Sequence, residues 1–355
     1  MRVAIITGSA GGGHNTAARN LLESAPSGTE VKIFQLEDYL TKTNRRLFIS
    51  SYDYISTFAK GFLWRFVYRA SNTRPGMWAY KITLTEFLAT SRRSVSHAIS
   101  EFKPEAIIST IFYGPFFLNK EFSQTPKYTI ITDFGFHRVW YHPSVFHYFT
   151  GNEQIVTDIE KINTAVKVSI TGIPVSDSLY QKNQTKSLIY NDKPKILLLA
   201  GGTGLMRIDN YLSTLLSSTD QWSITVICGD NPSLVKKVKT AAGKQASKIE
   251  IIGWTDKLTE YLKRSDIVVT KPGGLSSSEC LAAGKFMILV SPIPGQEEAN
   301  AKFLINKNCA VLVEKPADLP GAITEVLQTI TKKNQTVFPV RSATESIWEI
   351  ITQNN

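Results

Sequence analysis

His14 closes a run of glycines in VAIITGSAGGGHNTAARNLLE and stands where an amphipathic helix begins. A helix N-terminus disfavours added positive charge, so an imidazole there stays neutral, and a neutral histidine at a cleft is a competent general base. A capping or packing histidine is the structural alternative. Asp133 in ITDFGFH ends a strand-like run and can act as a base itself or orient His14, while His137 can line the same cleft or simply pack. Farther along, LLLAGGTGLMRI ends a strand in Gly201, Gly202, Thr203 and Gly204, whose backbone amides suit a diphosphate. KPGGLSSSE then turns through Gly273 and Gly274, with Ser276 and Ser277 as helpers. Glu279 follows about one turn into the next helix, where a carboxylate can take both hydroxyls of a ribose. PIPGQEEAN places Gln296 and Glu297 at another helix start, an amide and a carboxylate suited to a hexose, with Asn300 following. Diphosphate, ribose and hexose together make a nucleotide sugar.

The elements that must position these residues are short apolar runs that end in glycine or polar loops. VAIIT, VKIFQ, AIIST, YTIIT and VSITG recur in the first half, then KILLLAGG, SITVICG, IEIIG, DIVVTKPGG and MILVSP in the second. Such runs, separated by helix-length segments, predict parallel α/β units, and each half reads as a doubly wound sheet. A dinucleotide fingerprint is not present, because Gly8, Gly11, Gly12 and Gly13 do not fall as G-x-G-x-x-G, although Glu37 or Asp38 could mimic its ribose-binding acid.

A chain of 355 residues exceeds what one core usually supports, so two domains are expected. The boundaries predicted are 1–173 and 174–338, with a polar linker near Pro174 and a terminal helix over 339–355 that crosses back to the first domain. Apolar residues at 43% with 20% charged exclude a disordered chain. Cys228, Cys280 and Cys309 are scattered, which argues against zinc and against a disulfide framework and fits a reducing cytoplasm. MRVAIITG is too short for a signal peptide, and no run approaches a membrane span. The net charge of +10 is concentrated between Lys42 and Lys81, where eight basic residues meet Asp53 alone and ten aromatics intervene. Its helical spacing predicts a basic, aromatic helix containing Trp64, Arg65 and Arg69. Such a face suits an anionic membrane surface, with core packing as the structural alternative. No nucleic-acid motif accompanies the charge, so no nucleic acid is expected as partner.

GSAGGGHNTAA, ITDFGFHRVWYHP, TGIP, LLLAGGTG, VICGDN, IIGWTDKLTEYLKRSDIVVTKPGGLSSSE and PIPGQEEANA, in that order, resemble the glycosyltransferase family of monogalactosyldiacylglycerol synthases and bacterial processive diacylglycerol glucosyltransferases. The resemblance extends more distantly to the transferase that makes peptidoglycan lipid II. It implies an α/β GT-B fold, two Rossmann-like doubly wound domains facing a cleft. It implies transfer of glucose or galactose from UDP-glucose or UDP-galactose to diacylglycerol, with inversion, by a cytoplasmic enzyme peripheral on the inner face of the membrane. By the motifs, His14 and Asp133 are the catalytic candidates. The glycines and Thr203 of the 201–204 loop, Gly273, Gly274, Ser276, Ser277, Glu279, Gln296, Glu297 and Asn300 hold the donor. Gly12, Gly13 and His137, with Trp64, Arg65 and Arg69, serve acceptor and membrane. Ser9 stands where plant galactolipid synthases carry an aspartate, which gives His14 added weight as the base. The absence of a D-x-D sequence fits a mechanism with no cofactor and no metal. The rival readings are transfer of N-acetylglucosamine to an undecaprenyl-linked acceptor, and a regulator that binds UDP-sugar without turnover.

Overall fold

The computed structural model describes residues 1–8, 12–41, 62–118, 120–180, 193–202, 204, 206–218, 220–333 and 341–354. The chain forms two compact units. The first comprises Met1–Asp177 with Ile293–Ala299 and Arg341–Asn355, the second Ser178–Pro292 with Asn300–Val340.

The first unit is a six-stranded parallel sheet of β1 (Arg2–Thr7), β2 (Glu30–Gln35), β3 (Ala106–Ser109), β4 (Lys127–Ile130), β5 (His147–Thr150) and β6 (Lys167–Ile170), in the order β2-β1-β3-β4-β5-β6. Its helices are α1 (Gly13–Glu23), α2 (Phe62–Ser71), α3 (Arg74–Phe102), α4 (Glu153–Glu160) and α11 (Ala343–Gln353). β1 explains why both faces are covered. Val3, Ala4, Ile5 and Ile6 are all fully buried, and successive side chains of a strand point to opposite faces. Ala4 and Ile6 pack with Val95 and Ile99 of α3. Val3 and Ile5 pack with Leu21 of α1 and with Ile347, Trp348 and Ile351 of α11. The Trp348 indole donates to the Leu21 carbonyl at 3.0 Å, which satisfies its one polar atom. α2 turns into α3 within two residues, and Gly76 permits it: a Cβ there would stand 2.0 Å from the Ala70 carbonyl oxygen.

The second unit is a parallel sheet of β7 (Lys195–Leu199), β8 (Ser223–Ile227), β9 (Ile249–Ile252), β10 (Ile267–Thr270), β11 (Phe286–Val290) and β12 (Ala310–Val313), ordered β12-β11-β10-β7-β8-β9. Around it lie α5 (Ile208–Leu215), α6 (Pro232–Ala242), α7 (Leu258–Arg264), α8 (Gly274–Ala282), α9 (Gln296–Asn306) and α10 (Leu319–Lys333). Its core joins Ile196 and Leu198 of β7 to Tyr211 and Leu212 of α5 and to Leu319 and Ile323 of α10.

Both sheets are the Rossmann-like, doubly wound α/β type that the sequence predicts. In each, the strand order reverses once, between β1 and β3 and between β7 and β10. Ligands of open α/β sheets bind outside the carboxyl ends of the strands at that reversal. Two strands, β5 and β12, lie beyond the ten expected. The three cysteines are free and buried. Among the described residues, no helix is long and apolar enough to cross a membrane.

Candidate active site

At the reversal in the first unit, three threonines gather around His14. Gly12, at φ 76°, turns the chain into α1, so that Gly13 and His14 form its first turn. Thr110, just past β3, donates to the Thr7 hydroxyl at 2.9 Å and reaches the His14 carbonyl at 3.1 Å. The His14 Nδ1 lies 2.9 Å from Thr132 Oγ1, just past β4, and the imidazole meets the edge of the Trp140 ring with centroids 6.1 Å apart. The residue as a whole keeps part of its surface accessible, but the ring is desolvated. That burial pulls its pKa down to about 4, opposed in part by a hydrogen bond with the Thr110 backbone. The imidazole is therefore neutral at physiological pH. The partner that orients it is Thr132, one residue before Asp133.

Asp133 is 4% exposed and accepts a 2.7 Å hydrogen bond from the side-chain amide of Gln296. His137 is buried and both its nitrogens are engaged by the protein. Nδ1 accepts from the Val139 amide at 3.2 Å, and Nε2 lies 3.2 Å from the Tyr68 carbonyl oxygen and from Ser71 Oγ. Its ring packs on Tyr68 with centroids 4.6 Å apart. These contacts hold the end of α2 to the loop that carries His137. Of the residues expected to meet a membrane, Arg69 is exposed, as is its α2 neighbour Phe66 at 62%. The side chains of Trp64 and Arg65, and all of 42–61, lie outside the described residues.

At the reversal in the second unit, the loop after β7 is shaped by glycines. Gly204, at φ 61°, leaves no room for a Cβ, which would stand 2.2 Å from the Cys228 carbonyl oxygen. Its amide donates to the Gly201 carbonyl at 3.0 Å, so that donor is spent in closing the turn. A Cβ on Gly202 would meet nothing within 4 Å. Thr203 lies outside the described residues. The loop after β10 runs alongside: Lys271 Cε stands 3.3 Å from where a Gly201 Cβ would be, which brings an ammonium group to the glycine loop. Gly273 caps α8 and Gly274 begins it. Ser277 is fully buried and Ser276 is partly accessible. Glu279 follows, and burial of its carboxyl raises the pKa to about 7 although the residue keeps some exposure. Asn300 is buried and donates to the Pro272 carbonyl at 3.0 Å, holding α9 to this loop.

The turn before α9 belongs to the first unit. Glu297 there folds back to accept from the Ile293 amide at 2.8 Å, and Glu298 accepts from the Gly295 amide at 2.9 Å. The Glu298 bond satisfies the donor of the N-cap, as in a capping box, and the Glu297 bond closes the turn that precedes the helix. Gln296 stays exposed. Thr7, Thr110, Thr132 and Lys271 are the site residues that the sequence reading did not single out. Thr7 ends β1, while Thr110 and Thr132 lie just past β3 and β4.

Residues 14–175 match the family model of monogalactosyldiacylglycerol (MGDG) synthase, and residues 196–353 match the glycosyltransferase family 28 C-terminal domain. A processive diacylglycerol beta-glucosyltransferase of Bacillus subtilis is 25% identical over 92% of this chain and 87% of its own length. One from Bacillus pumilus is 24% identical over 100% of this chain and 95% of its own. Among solved structures, MurG of Acinetobacter baumannii superposes with a TM-score of 0.58 at 16% identity, covering 99% of both chains. The calicheamicin glycosyltransferase CalG4 gives 0.60 at 12%, covering 99% of this chain and 97% of its own. At such identities the structural likeness carries the fold alone, and that fold is GT-B. The two models match in order along one polypeptide, so the chain is a glycosyltransferase in which a monogalactosyldiacylglycerol synthase domain precedes a glycosyltransferase family 28 C-terminal domain.

Proposed function

We propose that this protein transfers glucose or galactose from its UDP conjugate to the free hydroxyl of diacylglycerol, with inversion and without a metal. The observation that carries the reading is the neutral imidazole at the strand reversal of the unit matched by the synthase model. The names of the Bacillus relatives support the acceptor and the donor class.

In the tautomer this reading requires, His14 Nδ1 carries the proton and donates to Thr132, which leaves a lone pair on Nε2. That nitrogen takes the proton of the diacylglycerol hydroxyl while the oxygen attacks the anomeric carbon. The new C–O bond forms opposite the departing diphosphate, so an α-linked donor yields a β-linked lipid, and UDP leaves with the bonding pair. Amides of the Gly201–Gly202 turn, the start of α8 with Ser276, and the Lys271 ammonium lie where they can offset the diphosphate charge. Glu279 takes the ribose hydroxyls, and Gln296 and Glu297 take the hexose. The acceptor stays in the bilayer, so the protein docks at the anionic cytoplasmic surface through the segment around α2, where Phe66 and Arg69 are exposed.

The test is incubation with UDP-glucose or UDP-galactose and diacylglycerol vesicles in EDTA, with the lipid product analysed for mass and anomeric configuration. A β-hexosyl diacylglycerol is expected. An α-linked product would overturn the inversion, and activity that returns only with magnesium would overturn the metal-free step. Binding of UDP-hexose with no lipid product from either donor would leave a regulator in place of an enzyme.

A further inference from the structure

The turn before α9 and the DFGFH turn after β4 interlock through two glycines. Gly295, at φ 88°, lies against the Tyr68 ring, where a Cβ would stand 2.6 Å from Cδ1 and 2.7 Å from Cγ. Gly135 lies against Ala299, where a Cβ would stand 2.5 Å from that residue's own Cβ. Beside them Gln296 Nε2 donates to Asp133 Oδ2 at 2.7 Å. A carboxylate only accepts, so this bond sets the amide: its nitrogen faces Asp133 and its Oε1 points away from it.

Tyr68 is itself held from behind. His137 Nδ1 accepts from the Val139 amide, which leaves the ring proton on Nε2, directed at the Tyr68 carbonyl. The Arg138 amide donates to Asn72 Oδ1 at 2.8 Å, so the end of α2 is fastened at two points to the loop that carries Asp133. Burial, and then the nearby Asp133 carboxylate, raise the pKa of the Tyr68 phenol, which is therefore a neutral, fixed ring at any physiological pH.

We propose that Tyr68 is a positioning residue for the donor sugar. Its ring is the floor over which the Gly295 turn passes, and it thereby sets where Gln296 Oε1 meets a hexose hydroxyl. The inference rests on the reading of Gln296 as a hexose ligand and deepens it, since a hydroxyl that meets this oxygen must donate its proton. The nucleotide half of the donor has its candidate residues on the second unit and does not depend on Tyr68.

The experiment compares the affinities of UDP-hexose and of UDP alone, by calorimetry on the full chain, with steady-state kinetics beside them. Tyr68→Ala is expected to lower UDP-hexose affinity about tenfold, the size of one hydrogen bond lost from a ligand, while UDP affinity stays as in the parent. KM for the donor should rise in step. Tyr68→Phe, which keeps the ring, should recover most of the loss. Gly295→Ala should impair hexose binding by collision with the ring, and adding Tyr68→Ala should cost less than the two losses combined. Should Tyr68→Ala fail to fold, Tyr68→Leu, which fills the space without a flat face, carries the same expectation. An unchanged hexose-to-UDP affinity ratio in the Ala or Leu variant overturns the proposal, and so does a Phe variant as impaired as Ala. A parent protein that binds UDP-hexose no better than UDP removes the reading of Gln296 on which the proposal stands.

Discussion

His14 and Glu279 are both held away from their usual ionisation by burial, in opposite directions of charge, and each shift has a measurable consequence. An imidazole in water takes its proton near pH 6.5, and His14 is held to about 4. As pH falls, the base is lost only through the lowered value, so kcat/KM should keep its plateau past 6.5 and break toward about 5 to 4. An acid limb near 6.5 that disappears in His14→Ala would show the ring to be solvated in the working enzyme. His14→Ala itself should lower turnover about 10² to 10⁴ fold with UDP binding nearly intact. Glu279 behaves conversely. Its carboxyl titrates at about 7, and two ribose hydroxyls donated to it would favour the ionised form. Donor binding should then release a proton. Below about pH 7 the release approaches one per ligand, and affinity climbs as pH rises through that range. UDP-hexose is the proper probe, because both of its phosphates are esterified and neither titrates near neutrality. Calorimetry in buffers of different ionisation enthalpy reads the proton directly. Equal observed heats in all buffers would mean that no proton is released, and a release that persists in Glu279→Gln would place its source elsewhere.

The loops after β7 and β10 show how an element converts glycine into a site. Gly204 and Gly202 stand two residues apart and do different work. A Cβ on Gly204 meets the Cys228 carbonyl in a backbone conformation that disfavours side chains, so Gly204→Ala should destabilise the second unit by more than about 1 kcal/mol. A Cβ on Gly202 meets only open space, so Gly202→Ala should leave the denaturant midpoint unchanged and weaken UDP-hexose instead. Equal effects of the two substitutions on stability would contradict this division. The elements themselves were largely legible from sequence. Runs such as VAIIT and KILLL are strands because parallel sheets are buried on both faces, which leaves a continuous apolar signature. β5 reads HYFT and breaks that signature with a histidine, whose side chain instead pairs with Ser169 on β6. β12 reads AVLV, the edge strand of the second sheet, and its apolar run was not among those expected. The glycine loops and the acidic and amide positions after them were visible for the same reason that they matter: few other residues suit those turns. Thr132 and Thr110 were not visible, because an isolated threonine carries no periodicity and its partner lies about a hundred residues away.

Over the whole molecule, a net charge of +10 with much of its excess between Lys42 and Lys81 gives one region a field that the rest of the chain does not share. α2 shows what that region presents: Phe66, 62% exposed, and Arg69, also in solvent, on a helix whose far side carries Tyr68 toward His137. An exposed aromatic beside basic residues suits the headgroup boundary of an anionic bilayer, where each lysine or arginine contributes about 1 kcal/mol. Replacing Arg65 and Arg69 by glutamate changes the local charge by about four units, and attraction should become repulsion. Co-sedimentation with anionic vesicles is then expected to fall sharply, while UDP-hexose affinity and the denaturant midpoint stay at parent values. Salt should act in the same direction on the parent, because the screening length shrinks from about 8 Å at physiological ionic strength to about 3 Å at 1 M. A short-chain diacylglycerol that disperses in water should restore turnover to the double variant, since only delivery of the acceptor has been impaired. Binding to anionic vesicles equal to that of the parent would remove these arginines from the docking surface. Loss of turnover on the soluble acceptor as well would place them in the reaction and not at the membrane.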